Sequence, residues 1–98
     1  MIVAFSVAPA GGESDSVGAA VAEAVRVVAD SGLSYELNAM FTLVEGEWDE
    51  VMDVVRRAVD AASVGATRIS LVLKADIRPG YTDQLHAKVD RVTEHLAD

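Results

Sequence analysis

The apolar residues of this chain switch between a period of two and a period of 3.6, and the order of the switches is what most limits its fold. Ile2 to Ala8 is β-branched and aromatic and runs into Pro9-Ala10-Gly11-Gly12, a strand ending in a loop. Glu13, Ser14, Asp15 and Ser16 are N-cap and first-turn residues. Behind them Val17, Ala20, Val21, Ala24, Val25 and Val28 recur at helical spacing until Ser31-Gly32 stops the helix. Tyr35-Glu36-Leu37, a turn near Asn38-Ala39 and Met40 to Glu45 read as a hairpin, although Asn-Ala lacks the Gly that a type I′ turn prefers. Trp48, Val51, Met52, Val55, Ala58, Val59 and Ala62 mark a second amphipathic helix, closed by Gly65. Arg68 to Asp76 is a fourth strand. After Arg78-Pro79-Gly80, Thr82 caps a last helix with the stripe Leu85, Val89, Val92 and Leu96.

Two βαβ crossovers sharing one antiparallel sheet give an α+β, two-layer, ferredoxin-like βαββαβ sandwich. The predicted strand order is 4-1-3-2, with an added C-terminal helix and a single domain over residues 1–98. Both crossover helices cover one face of the sheet, so strand parity describes the other. The helix side is expected to hold Val3, Phe5, Val7, Leu37, Phe41, Leu43, Ile69, Leu71 and Leu73. The outer face is expected to hold Ile2, Ala4, Ser6, Glu36, Asn38, Met40, Thr42, Val44, Ser70, Val72, Lys74 and Asp76. Ile2, Ala4, Met40, Val44 and Val72 would then form an apolar patch of a kind monomers rarely expose. Its expected cover is a second subunit, the last helix or both, which makes the chain a homo-oligomer, a dimer or tetramer, through its outer face.

Composition removes several function classes. Sixteen acidic residues against eight basic ones argue against nucleic acid, whose phosphates need clustered Lys and Arg. No apolar run approaches a membrane span, and the first residues lack the basic stretch and cleavage site of a signal peptide. Cys is absent, so thiolate chemistry and disulfides are out, and a cytoplasmic home is the natural expectation. No catalytic residues can be assigned, because no Ser–His–acid or paired-carboxylate arrangement falls at one end of the sheet. His86 and His95 are too far apart on one helix for a metal pair. Gly11-Gly12 at a helix start could hold an anion, but Glu13 and Asp15 repel one. Trp48 opens a helix stripe and reads as core. No metal and no cofactor are expected.

What parity does offer is a row of hydroxyls, Ser6, Thr42 and Ser70, beside Met40 and Phe41, with Glu45, Lys74 and Asp76 at the other end of the sheet. Covered by a partner, that is the make-up of a small-molecule pocket, with apolar walls and a few polar groups. The same hydroxyls could equally fill a tight interface. Glu45 could face a ligand or cap the helix near Trp48, and Lys74 and Asp76 could contact a ligand or form an exposed ion pair.

The stretches Ile2-Val3-Ala4-Phe5-Ser6-Val7-Ala8-Pro9, Tyr35 through Met40, Phe41 and Thr42 to Glu45-Gly46-Glu47-Trp48, and Lys74-Ala75-Asp76-Ile77-Arg78 resemble the small thiamine-binding protein family. So does the Lys88-Val89 pair in the last helix. The resemblance implies a ferredoxin-like fold, dimers and sheet-stacked tetramers, no catalytic activity, and a pocket at subunit contacts for thiamine or its hydroxymethylpyrimidine half. An aminopyrimidine offers an exocyclic amine donor and two ring-nitrogen acceptors on a flat ring, which suits hydroxyls, a carboxylate and aromatic or Met walls. On that view Ser6 and Thr42 orient the ligand.

Overall fold

The computed structural model describes residues 1–12 and 17–97, so the expected cap at Glu13 to Ser16 lies outside the described residues. The elements run β1 (Ile2–Ala10), α1 (Val17–Asp30), β2 (Ser34–Leu37), β3 (Thr42–Glu45), α2 (Trp48–Ala62), β4 (Arg68–Asp76) and α3 (Gln84–Leu96). One antiparallel four-stranded sheet has the order β2-β3-β1-β4, the order expected. β1 is central, pairing with β3 over Ile2–Phe5 and with β4 along its whole length.

The core lies between the sheet and the α1/α2 layer. Val3, Phe5 and Val7 of β1 and Val44 of β3 meet Ala24 and Val28 of α1 and Val51, Val54, Val55, Ala58 and Ala62 of α2. Full burial of a side chain such as Phe5 contributes about 1.5–3 kcal/mol. α2 turns slightly from its predicted stripe: Val54 is buried, whereas Trp48 is exposed. Trp48 is the first helical residue, ahead of the turn that meets the sheet, and is not core. α2 caps itself, the Glu47 amide donating to Glu50 Oε1 at 3.4 Å in a capping box. At the end of β1 the chain passes close against the loop between α2 and β4: Gly12 has φ 82°, and a Cβ there would collide with the Gly65 carbonyl oxygen.

The hairpin departs from the expected parity. The Asn38 amide donates to the Phe41 carbonyl at 3.0 Å, and Asn38 Oδ1 accepts from the Met40 and Phe41 amides at 2.8 Å each. This Asx-type closure satisfies the turn without the Gly of a type I′ connection. Leu37 pairs with Thr42 and Tyr35 with Val44, so odd-numbered residues of β2 share a face with even-numbered residues of β3. Val3 opposes Val44 and Phe5 opposes Thr42, which fixes that face as the helix side. Thr42 and Val44 are therefore internal, and Leu43 and Glu45 lie outside, the reverse of the expectation. β4 keeps its expected parity, with Ser70, Val72, Lys74 and Asp76 sharing the outer face with Ala8, Ser6, Ala4 and Ile2.

α3 crosses to that outer face. Thr82 is not its cap; the N-cap position is Asp83, in the left-handed conformation with φ 56°. Only Leu85 of its apolar stripe is buried, while Val89, Val92 and Leu96 are 60%, 59% and 78% exposed. The helix is thus anchored at its first turn and leaves most of its apolar stripe bare.

Candidate functional site

That first turn is held by a carboxylate from 40 residues earlier in the chain. Glu45, the last residue of β3, accepts the Gln84 amide on Oε2 at 2.8 Å and the Leu85 amide on Oε1 at 2.9 Å. An anion receiving the free amides of a helix N-terminus is favoured by both hydrogen bonding and the helix dipole. Glu45 is therefore a helix cap, but of α3 on the outer face and not of the helix near Trp48.

Ile2 has Glu45 as its neighbour on one side and Asp76 on the other, so the three form a row across one end of the outer face. Lys88 of α3 reaches down to Asp76, Nζ to Oδ2 2.6 Å. The hydrogen bond from Lys88 holds the Asp76 carboxyl below its ordinary range, helped by the Lys88 charge and by those of Arg78 and Lys74. The segment between β4 and α3 stacks the Arg78 guanidinium on Tyr81, 3.5 Å from the ring centroid. Together Met1, Ile2, Glu45, Asp76, Arg78, Tyr81, Gln84 and Lys88 enclose a cleft of about 190 Å³. It is lined by apolar Met1 and Ile2, by the Tyr81 ring and by the polar side chains of Asp76, Arg78, Gln84 and Lys88.

A second cleft, about 170 Å³, sits at the hairpin turn and gathers Ser6, Met40, Phe41 and Thr42 with Leu37 and Asn38. It is poorer in available polar groups. Asn38 Oδ1 is occupied by the turn amides, and Thr42 is 6% exposed. The expected row of Ser6, Thr42 and Ser70 does not form. Thr42 lies beside Phe5 on the opposite face from Ser6, and the β4 neighbour of Ser6 is Val72, with Ser70 further along opposite Ala8. Val44 and Met40 also drop out of the expected outer patch, Val44 into the core and Met40 into the turn. Thr42→Val should consequently leave ligand affinity within about twofold. A drop of tenfold in a calorimetric titration would return Thr42 to the binding site, since a ligand hydrogen bond contributes roughly 0.5–1.5 kcal/mol.

Known proteins resemble this chain along nearly all of its length. The sequence pattern that defines the thiamine-binding protein family matches residues 3–93. The chain belongs to the thiamine-binding protein family. A UPF0045 protein of Mycobacterium bovis is 52% identical over 97 residues, covering 98% of this chain and 94% of the relative. Among solved structures, a domain of unknown function from Bacillus cereus superposes with TM-score 0.81 at 37% identity, over 90% of this chain and 85% of that one. A Thermotoga maritima protein proposed to act in thiamine biosynthesis or salvage superposes with TM-score 0.79 at 28% identity, over 93% of this chain and 96% of its own.

The family's match covers β1 from Val3, the other three strands and α3 as far as Thr93, so it takes in the turn cleft and all of the cleft under α3 except Met1 and Ile2. Of the residues expected to bind ligand, the cleft under α3 brings together Glu45 and Asp76, with Lys74 next along the same face; the turn cleft brings together Ser6, Met40, Phe41 and Thr42; Ser70 joins neither. Sequence reasoning missed Tyr81 and Gln84 and assigned no role to Arg78 or Lys88. The available signal was a Tyr three residues after an Arg in a Pro-Gly loop, immediately before a helix. Among the described residues, no three His, Asp or Glu side chains gather as a metal site, and no helix is long and apolar enough to cross a membrane.

Proposed function

We propose that this chain is a non-catalytic, cytoplasmic binding protein for thiamine or its hydroxymethylpyrimidine precursor, with the ligand seated in the cleft beneath α3. Membership of the thiamine-binding family carries the ligand class. The Thermotoga relative, proposed to act in thiamine biosynthesis or salvage, points the same way. The chemistry of the cleft agrees with it. Asp76 can accept from an exocyclic amine, and Ile2 and Tyr81 offer faces to a flat ring. At about 190 Å³ the cleft is smaller than the 300–1,000 Å³ typical of ligand pockets, so one copy encloses only part of a ligand. The remainder is supplied by another copy packed on the outer face, where Val72 and the α3 stripe are exposed. A nucleophile and a positioned base are both wanting among the residues that line the cleft, hence binding without turnover.

Calorimetric titration of the purified protein with thiamine, thiamine diphosphate and hydroxymethylpyrimidine tests this. A saturable heat with at least one of them, and recovery of that ligand unchanged, is the expected result. No heat with any of the three would remove the assignment, and product formed above a heat-killed control would make the protein an enzyme.

A further inference from the structure

We infer that the cleft beneath α3 selects the phosphorylated form of its ligand, taking a phosphomonoester; this rests on the reading of that cleft as the ligand site. The chain has a net charge of −8, yet this corner is locally cationic. Both lysines of the chain, Lys74 and Lys88, and one of its six arginines, Arg78, surround Asp76. Elsewhere Arg26 pairs with Glu23, and Arg56 and Arg57 pair with Asp53, all within single helices. Glu45 adds a second carboxylate, its oxygens facing the Gln84 and Leu85 amides, and the Met1 ammonium, which donates to the Gly46 carbonyl at 3.1 Å and lines the same cleft, adds a fourth cation. Four cations against the Glu45 and Asp76 carboxylates leave a surplus of two positive charges. A phosphomonoester carries roughly −1.5 to −2 at neutral pH, which matches that surplus. A carboxylate would neutralise only half of it.

Arg78 is the group best placed to read the phosphate. Its guanidinium lies on the Tyr81 ring and has no carboxylate partner among the described residues. Stacking uses the face of the guanidinium and leaves its in-plane N–H groups, the fork that matches phosphate oxygens in a bidentate pair. Tyr81 thus orders the side chain in advance, which lowers the entropy lost on binding. Lys88, on the opposite rim, can share its ammonium between Asp76 and the ligand, and Lys74 adds charge from the strand below.

The test compares four probes by calorimetry on the full chain: hydroxymethylpyrimidine, its monophosphate, thiamine and thiamine monophosphate. At least one phosphomonoester is expected to bind about tenfold or more tightly than its own alcohol, with the advantage shrinking as salt is raised. Which of the two pairs shows the larger gain identifies the source of the phosphate. Arg78→Gln should collapse the ratio of phosphorylated to unphosphorylated affinity toward one, and Arg78→Lys should retain part of it. The ratio is the readout, so a general loss of affinity does not imitate the effect. Alcohols that bind as tightly as their phosphates, or a preference that Arg78→Gln leaves untouched, would overturn this inference while the ligand class stands. Failure of all four to bind would overturn the ligand class, and this inference with it.

Discussion

Glu45→Ala should release α3 from the sheet while leaving the α1/α2 sandwich folded. The Glu45 carboxylate is the largest polar anchor of that helix, accepting two backbone amides at 2.8 and 2.9 Å at a buried position. Removing it strands two donors at the helix start and takes away the anion that faces the helix dipole. Loss of a side-chain cap costs about 0.5–2 kcal/mol, and hydrogen bonds to a charged acceptor are worth about 1.5–3 kcal/mol, so a loss near 2–3 kcal/mol is expected. Little else resists the release, because Leu85 is the only buried residue of α3. Amide hydrogen exchange should show protection lost from residues 84 to 96 and retained in α2 and β1. Glu45→Gln keeps a neutral acceptor and should lose roughly half as much. Unchanged exchange in α3 after Glu45→Ala would mean that side-chain packing, not the cap, holds the helix.

That anchor also shows where the sequence stopped being legible. Cap signals are local, since a Ser, Thr, Asp or Asn is sought just ahead of the helix it serves. Thr82 fits the pattern, and the actual acceptor stands 39 residues before Gln84, where no local rule looks. The strand order, by contrast, was legible in full, because each switch of period marked an element and few topologies join them without crossing. The parity of β4 followed from its central pairing with β1 and its clean alternation.

The parity of β3 could not be read in the same way. Met40, Phe41, Leu43 and Val44 are apolar on both faces, so alternation gave no direction. Direction came from the turn: Asn38 closes on Phe41, and a closure of that length pairs odd residues with even ones. Carrying the odd positions through the hairpin put Thr42 beside Ser6, and the hydroxyl row followed from that single step. The cleft residues that replaced it, Arg78, Tyr81 and Lys88, come from a loop and a helix that fold over the sheet, a juxtaposition that strand parity cannot express.

The same outer face carries the expectation of assembly, and Val72→Asp should abolish it. Val72 stands mid-face between Ser70 and Lys74, opposite Ser6 on β1, and is 55% exposed in the single chain. A surface change of this kind costs the monomer fold no more than about 0.5 kcal/mol. In a symmetric dimer the substituted position meets the partner twice, once from each copy, so every interface acquires two carboxylates. A buried, poorly satisfied polar group costs about 1–3 kcal/mol, and more when charged. Lys74, two residues along the same face, offsets part of this, which sets the expectation at the lower end, about 3 kcal/mol per interface or a hundredfold weaker association. Light scattering of the parent at micromolar concentration should give a dimer or tetramer mass, and Val72→Asp should give a monomer with an unchanged circular dichroism spectrum. Val17→Asp, a substitution of similar exposure at the start of α1 on the helix layer, should leave the assembly intact. A parent that is monomeric, or a Val72→Asp variant that keeps the parent's mass, would show that the outer face does not join copies and that the cleft beneath α3 works with a single chain.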